Sequence, residues 1–160
     1  MKLSVLNDVA LQKKGSAEAR VAATPDTVAG YVKSGHSVTV TKGAGAKADF
    51  ADALYKDAGA TIAATNAAAA KTADLVLSVT GGTEKLVAGM RKGSGITGVL
   101  SPTDNPKYAA ACAKVGVTAY EIASCLGGLG DVYKTQLEIR QAVALMKKRV
   151  YRDRDSIRVQ

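Results

Sequence analysis

The feature that most constrains this chain is an alternation. Short apolar or β-branched runs recur as "KLSVL" (2–6), "HSVTVTK" (36–42), "TIAA" (61–64), "DLVLSV" (74–79), "GITGVL" (95–100) and "VTAYE" (117–121). The gaps between them carry helix starts, helical spacing and glycine stops, apart from the polar loop "NDVALQKKGSAEA" that follows the first run. Strands separated by a helix-length connection return parallel to one another, because a tight hairpin is unavailable and the crossover packs its helix against the sheet. The expected fold class is therefore α/β: a doubly wound, mainly parallel sheet with helices on both faces. The run 74–79 is the most apolar and is expected at the centre.

The helix boundaries have mechanisms. Thr24 is placed to cap free N–H groups, Pro25 fits a first helical position, and Asp26 complements the positive helix end. Gly35 stops that helix. Asn105, Pro106 and Gly116 repeat the same start and stop. Between them, "GAGAKADFADALYKDAG" (43–59) reads as a glycine turn and then a helix with Phe50, Ala53, Leu54 and Ala58 on its apolar face. Asn66 opens a further short helix that ends near Lys71, and "TEKLVAGM" (83–90) reads as another.

At 160 residues the chain suits one domain. Its formal net charge is +8, but residues 131–160 hold eight Lys/Arg against four Asp/Glu, so half of the excess sits in the last thirty residues. With Trp absent and aromatics scarce, a basic tail on a soluble domain is a better reading than a nucleic-acid surface. Cys112 and Cys125 match no metal-site spacing and read as reduced structural thiols. No apolar run reaches the length of a membrane span, and the N-terminus carries no cleavage signature.

Candidate site residues lie where strands end, because ligands of parallel sheets bind beyond the carboxyl ends of the strands. "GAGAKA" (43–48) partly mimics a dinucleotide fingerprint, but it follows the second strand, Lys47 intrudes, and no acidic residue closes a following strand; it reads as tight-turn glycines. The single histidine, His36, reads as a surface residue at a helix-to-strand turn, and Glu121 and Asp131 as isolated carboxylates. In "SPTDNP" (101–106), Ser101, Thr103 and Asp104 either face a ligand or cap the next helix. Arg20 sits before the Thr24-Pro25 helix start: its guanidinium either takes a carboxylate or phosphate as a bidentate pair, or is solvated or salt-bridged.

The segment from "ARVAATPDTVAGYVKSGHSVTVTKGAGAKADFADALYKDAGA" to "DLVLSV" resembles the N-terminal domain shared by alanine dehydrogenases and the alpha subunit of proton-translocating NAD(P) transhydrogenase. The resemblance covers residues 1–122. It implies an oxidoreductase that uses NAD(H), with Arg20 on a cleft face against a second, Rossmann-type domain. Alanine dehydrogenases carry a lysine at the place of Ser78 and a catalytic histidine at the place of Ser101. Both are missing, and "LSPTDNPKYAAACAKVGVTAYE" is closer to the transhydrogenase segment, although Ser78 departs from that pattern as well.

The transhydrogenase alpha subunit is therefore the expected relative. An alanine-dehydrogenase-type oxidoreductase comes second, and a non-catalytic module with a nucleic-acid-binding basic tail third. The resemblance further implies NADP-binding and membrane subunits as partners, a homodimer, and a cytoplasmic position peripheral to the inner membrane. Arg20, Ser78, Ser101, Thr103 and Asp104 are candidate cleft residues; no catalytic, cofactor-binding or metal-ligating residue is assigned.

Relatives continue with a Pro-Arg-Ile-Ser-Arg-Ala-Gln-type loop and a Rossmann domain, whereas residues 123–160 show neither. "DVYKTQ" (131–136) differs by one residue from DVYKRQ, a translated sequencing adapter. Residues 123–160 are thus expected to be either an assembly artefact or a divergent basic helical tail, and the chain is expected to be an incomplete piece that binds little or no NAD(H) alone.

Overall fold

The computed structural model describes residues 1–11, 18–101 and 105–122. Within them lie six strands, β1 (Lys2–Val5), β2 (Ser37–Thr41), β3 (Thr61–Ala63), β4 (Leu75–Leu77), β5 (Gly95–Gly98) and β6 (Thr118–Glu121). Five α-helices connect them: α1 (Pro25–Lys33), α2 (Asp52–Asp57), α3 (Asn66–Lys71), α4 (Glu84–Ala88) and α5 (Pro106–Val115). The sheet order is β3-β2-β1-β4-β5-β6 and every pairing is parallel. Successive strands step outward from β1 to β3, and the chain then crosses back to β4. This is the Rossmann-type order, with its topological switch between β1 and β4. The expected basic helical tail, residues 123–160, and the boundary drawn there lie outside the described residues.

Strand periodicity sorts the core into two layers. Leu3 and Val5, Val38 and Val40, and Leu75 and Leu77 pack with Val28 and Tyr31 of α1 and Tyr55 of α2. On the opposite face Leu6, Val76 and Ile96 pack with Ala70 of α3, Leu86 and Val87 of α4, and Tyr108 and Cys112 of α5. All three β4 residues are buried, as befits a strand with a neighbour on each side and cover on each face.

The local signals account for most boundaries. The Thr24 hydroxyl caps α1 by accepting from the Thr27 amide, with Pro25 at the first helical position. The Asn105 side chain does the same for α5, which ends at Gly116 in a left-handed conformation. Thr65 and Thr83 cap α3 and α4.

The reading of α2 needs correction. Ala53 and Leu54 face solvent, Leu54 being 45% exposed, and Tyr55 is the residue that points inward. The expected face takes its phase from Phe50. A 3₁₀ turn at Ala46–Ala48 and the left-handed Asp49 delay the helix until Asp52, so Phe50 packs from the turn, not from the helix. The Tyr55 hydroxyl donates to the Ala23 carbonyl at 2.9 Å and thereby ties α2 to the chain entering α1. Burial, and then the Asp52 charge, push its pKa well above the ordinary phenol value, so it remains a donor throughout the physiological range. Tyr55→Phe should cost about 1–2 kcal/mol in urea unfolding; an unchanged midpoint would show that the bond contributes nothing.

His36 also differs from expectation. It is buried, at 7% exposure, and not a surface residue. The Tyr31 ring meets it edge-on, and its Nδ1 lies 3.4 Å from the Met1 amino nitrogen. The turn that carries it folds back over the start of β1, where the Ser37 amide donates to the Met1 carbonyl.

Candidate functional site

The switch between β1 and β4 opens at the carboxyl edge of the sheet. The first residues beyond β1 there are Leu6, Asn7 and Asp8. Asn7 is held by a reciprocal pair with Asn66: its amide donates to the Asn66 Oδ1 at 2.8 Å and its carbonyl accepts from Nδ2 at 3.0 Å. This leaves the Asp8 side chain aimed at the end of β4.

Asp8 is 1% exposed and fully engaged. Its Oδ1 accepts from the Ser78 hydroxyl at 2.6 Å, the Thr80 amide at 2.9 Å and the Thr80 hydroxyl at 2.8 Å. Its Oδ2 accepts from the Val79 amide at 3.0 Å. A buried carboxylate is tolerated when donors converge on it in this way. The Ser78 oxygen in turn accepts from the Gly81 amide at 2.8 Å, and the Tyr108 hydroxyl of α5 donates to the Gly81 carbonyl. The loop after β4 is therefore fastened from β1, from its own serine and from α5. Gly98 of β5 completes the fastening, since a Cβ there would overlap the Gly81 backbone.

The sequence reading singled out Ser78 but missed Asp8. The available signal was a lone acidic residue just after an apolar strand, and its role depends on which strand becomes its neighbour.

Arg20 lies in the segment that leads into α1, beside the buried run Val21, Ala22 and Ala23. Its guanidinium is salt-bridged within the chain, one of the two outcomes weighed above. Nε donates to Glu18 Oε1 at 2.7 Å, and Nη2 to Oε2 at 2.6 Å. The side-chain hydrogen bond from Arg20 holds the Glu18 carboxyl below its usual range. The same bond raises the Arg20 pKa, and the Asp8 charge adds to the effect.

Ser101 stands beyond the end of β5, exposed and at φ 43°, a left-handed conformation uncommon for a residue with a Cβ. Its amide and that of Leu100 both donate to Glu121 Oε2, at 2.6 and 2.7 Å. Glu121, read from sequence as an isolated carboxylate, thus holds the β5 exit from the end of β6. Thr103 and Asp104 lie outside the described residues. The side chain seen to cap α5 is that of Asn105.

The "GAGAKA" turn uses its backbone internally. The Gly43 amide donates to Asp52 Oδ1 at 2.8 Å, and those of Ala44 and Ala46 donate to the carbonyls of Thr41 and Gly43. A Cβ on Gly45 would lie 2.7 Å from the Phe50 Cβ and 2.8 Å from the Tyr55 hydroxyl, so this glycine answers a packing need. Among the described residues no cluster of three or more His, Cys, Asp or Glu side chains could hold a metal ion. No helix among them is long and apolar enough to cross a membrane.

The chain is 35% identical over 101 residues to the NAD(P) transhydrogenase subunit alpha of Cereibacter sphaeroides, covering 63% of this chain and 19% of that protein. It is 36% identical over 90 residues to the NAD(P) transhydrogenase subunit alpha of Haemophilus influenzae, covering 56% of this chain and 17% of that protein. It thus spans less than a fifth of either relative.

Among solved structures, a transhydrogenase from Sinorhizobium meliloti superposes with a TM-score of 0.65 at 28% identity, over 77% of this chain and 35% of the other. An L-alanine dehydrogenase superposes with a TM-score of 0.67 at 25% identity, over 76% and 32%. The family model of the alanine dehydrogenase/PNT N-terminal domain matches residues 11–124, which takes in α1 to α5, β2 to β6 and the loop after β4 but not Asp8. On fold and sequence alike, this chain belongs to the alanine dehydrogenase/PNT N-terminal domain family.

Proposed function

We propose that this domain forms one wall of the nucleotide cleft of an NAD(P) transhydrogenase alpha subunit, in which hydride passes from NADH to NADP⁺ with coupled proton movement. The observation that carries this reading is the likeness to transhydrogenase alpha subunits, while Ser78 and Ser101 weigh only against keto-acid chemistry. At the position where alanine dehydrogenases carry a lysine, this chain has a buried hydroxyl committed to Asp8. Ser101 likewise offers a hydroxyl where those enzymes carry a histidine, so neither position supplies a cation or an imidazole for keto-acid chemistry. Both curated relatives described above are transhydrogenase alpha subunits, which supports the same branch.

The one fingerprint-like turn is a poor match to a dinucleotide pyrophosphate, because its Gly43, Ala44, Ala46 and Ala48 amides donate to Asp52 and to nearby carbonyls. In this reading the NAD(H) site belongs to a Rossmann domain outside residues 1–122. The redox chemistry is that of the nicotinamides, and this domain contributes a rigid face that helps orient them and exclude water. NADP-binding and membrane subunits, a homodimer and a place beside the inner membrane belong to the same proposal. So does the boundary near residue 122, with Arg20, Ser78, Ser101, Thr103 and Asp104 on the cleft side. The nucleic-acid reading rests on a tail outside the described residues.

The test is a chimera. Residues 1–122 replace the matching segment of the Cereibacter sphaeroides alpha subunit, and hydride transfer to an NADP analogue is measured in the assembled enzyme. Activity within about tenfold of the parent, roughly 1.4 kcal/mol in the barrier, is expected. Background activity from a folded, assembled chimera would refute the assignment. Titrating the 160-residue chain itself with NADH should show no saturation below about 1 mM. A micromolar dissociation constant would move the nucleotide site into this chain.

A further inference from the structure

The exit of β5 is shaped by one side chain from the neighbouring strand. Gly98 and Glu121 stand side by side at the end of the β5–β6 pairing. From there Glu121 Oε2 reaches past the strand end and accepts from two successive amides, Leu100 at 2.7 Å and Ser101 at 2.6 Å. Two consecutive N–H groups meet one oxygen where the backbone curls, and Ser101 supplies the curl at φ 43°. A residue with a Cβ keeps that conformation only when its surroundings outweigh the steric cost. Leu100 is anchored inward, 6% exposed and against Gly81, whereas Ser101 is exposed. The bonds to Glu121, and not side-chain packing, therefore hold Ser101. With Ser101 so turned, its carbonyl accepts from the Asn105 amide at 2.9 Å, and Asn105 caps α5.

We propose that Glu121 is the latch of a two-state backbone switch at Ser101. With the carboxylate engaged, Ser101 is left-handed and its carbonyl holds the residue that caps α5. With the carboxylate released, Ser101 relaxes to an ordinary backbone region and its carbonyl turns away from Asn105. Glu121 is thus a positioning residue that acts through the main chain. It joins the end of β6, the exit of β5 and the start of α5 into one unit at the carboxyl edge of the sheet. A ligand or partner that draws the carboxylate off the two amides shifts all three together. The switch is a property of the backbone and stands independently of the transhydrogenase assignment.

The experiment follows amide hydrogen exchange, residue by residue, in the unchanged 160-residue chain and in Glu121→Ala and Glu121→Gln. Ser101→Gly is then added to each variant. Glu121→Ala should speed exchange at Leu100 and Ser101, which lose their acceptor. It should also speed exchange at Asn105 and Tyr108, which do not touch Glu121 in these bonds, by at least about tenfold. Glu121→Gln keeps one acceptor oxygen and the bulk of the side chain, so it should fall in between and serves if the alanine variant folds poorly. Glycine carries no steric cost in the left-handed region. Adding Ser101→Gly should therefore restore protection at Asn105 and Tyr108 while the Leu100 amide stays fast. Unchanged protection at Asn105 and Tyr108 in both single variants would overturn the proposal. Failure of Ser101→Gly to restore them would overturn it too, by reducing Glu121 to a strut with no switch behind it.

Discussion

Asp8→Ala is expected to destabilise the domain by about 3–5 kcal/mol, because it strands donors that have nowhere else to turn. The Ser78 and Thr80 hydroxyls can rotate in search of another acceptor. The Val79 and Thr80 amides cannot, since the backbone after β4 is fixed by the Gly81 bonds to Ser78 and Tyr108. Each orphaned buried amide costs roughly 1–3 kcal/mol. Asp8→Asn should cost less, since one acceptor oxygen survives, but its new N–H group meets donors. Urea unfolding gives the total. Amide exchange at Val79 and Thr80 should accelerate locally even under conditions where the rest of the sheet stays protected. A loss below about 1 kcal/mol for the alanine variant would mean that water replaces the carboxylate freely, and that the loop is not fastened by Asp8.

Gly98→Ala is expected to be comparably damaging, by about 3 kcal/mol or more, for a steric reason. The added methyl would overlap the Gly81 nitrogen and Cα and lie 3.3 Å from the Ser78 carbonyl oxygen, so it meets backbone and no movable side chain. Relief requires β5 to part from the loop after β4. That strains two bonds across the seam, Ser78 N–H to the Thr97 carbonyl at 3.2 Å and Val99 N–H to the Val79 carbonyl at 2.8 Å. Gly30→Ala provides the internal contrast. That glycine lies in α1 with nothing within 4 Å of the added atom, so the same change should stabilise by about 0.5–1 kcal/mol through helix propensity. Thermal unfolding of the two variants side by side should move in opposite directions. Two shifts of the same sign would show that close approach at the seam does not govern the cost.

Much of the scaffold was legible in the sequence because its causes are local. Thr24 with Pro25, and Asn105 with Pro106, act on amides within one helical turn, and Gly116 ends α5 by its own backbone freedom. Strand alternation in "HSVTVTK" and the unbroken apolar run in "DLVLSV" report, respectively, a strand with one less covered face and a strand covered on both. Where a local cause was misjudged, the consequence was a phase error. The left-handed Asp49 delays α2 by two residues relative to Phe50, which turns Leu54 outward and Tyr55 inward.

The site was less legible, for a physical reason that the residues themselves display. Asp8 finds its partners 70 to 72 positions away, and Glu121 finds its own 20 and 21 positions away. No periodicity or cap signal spans such distances; only the parallel crossovers do. Arg20 shows the intermediate case. Its partner is two residues away, but which of two outcomes the pair adopts depends on whether the segment is held so that both side chains meet. By itself, then, the sequence determined the alternation, the helix caps and the central place of β4, since these follow from interactions inside a few residues. The tertiary structure alone decided that Ser78 is committed to Asp8, that His36 is buried and that Glu18 pairs with Arg20, because each depends on which groups the folded chain brings within hydrogen-bonding or packing distance.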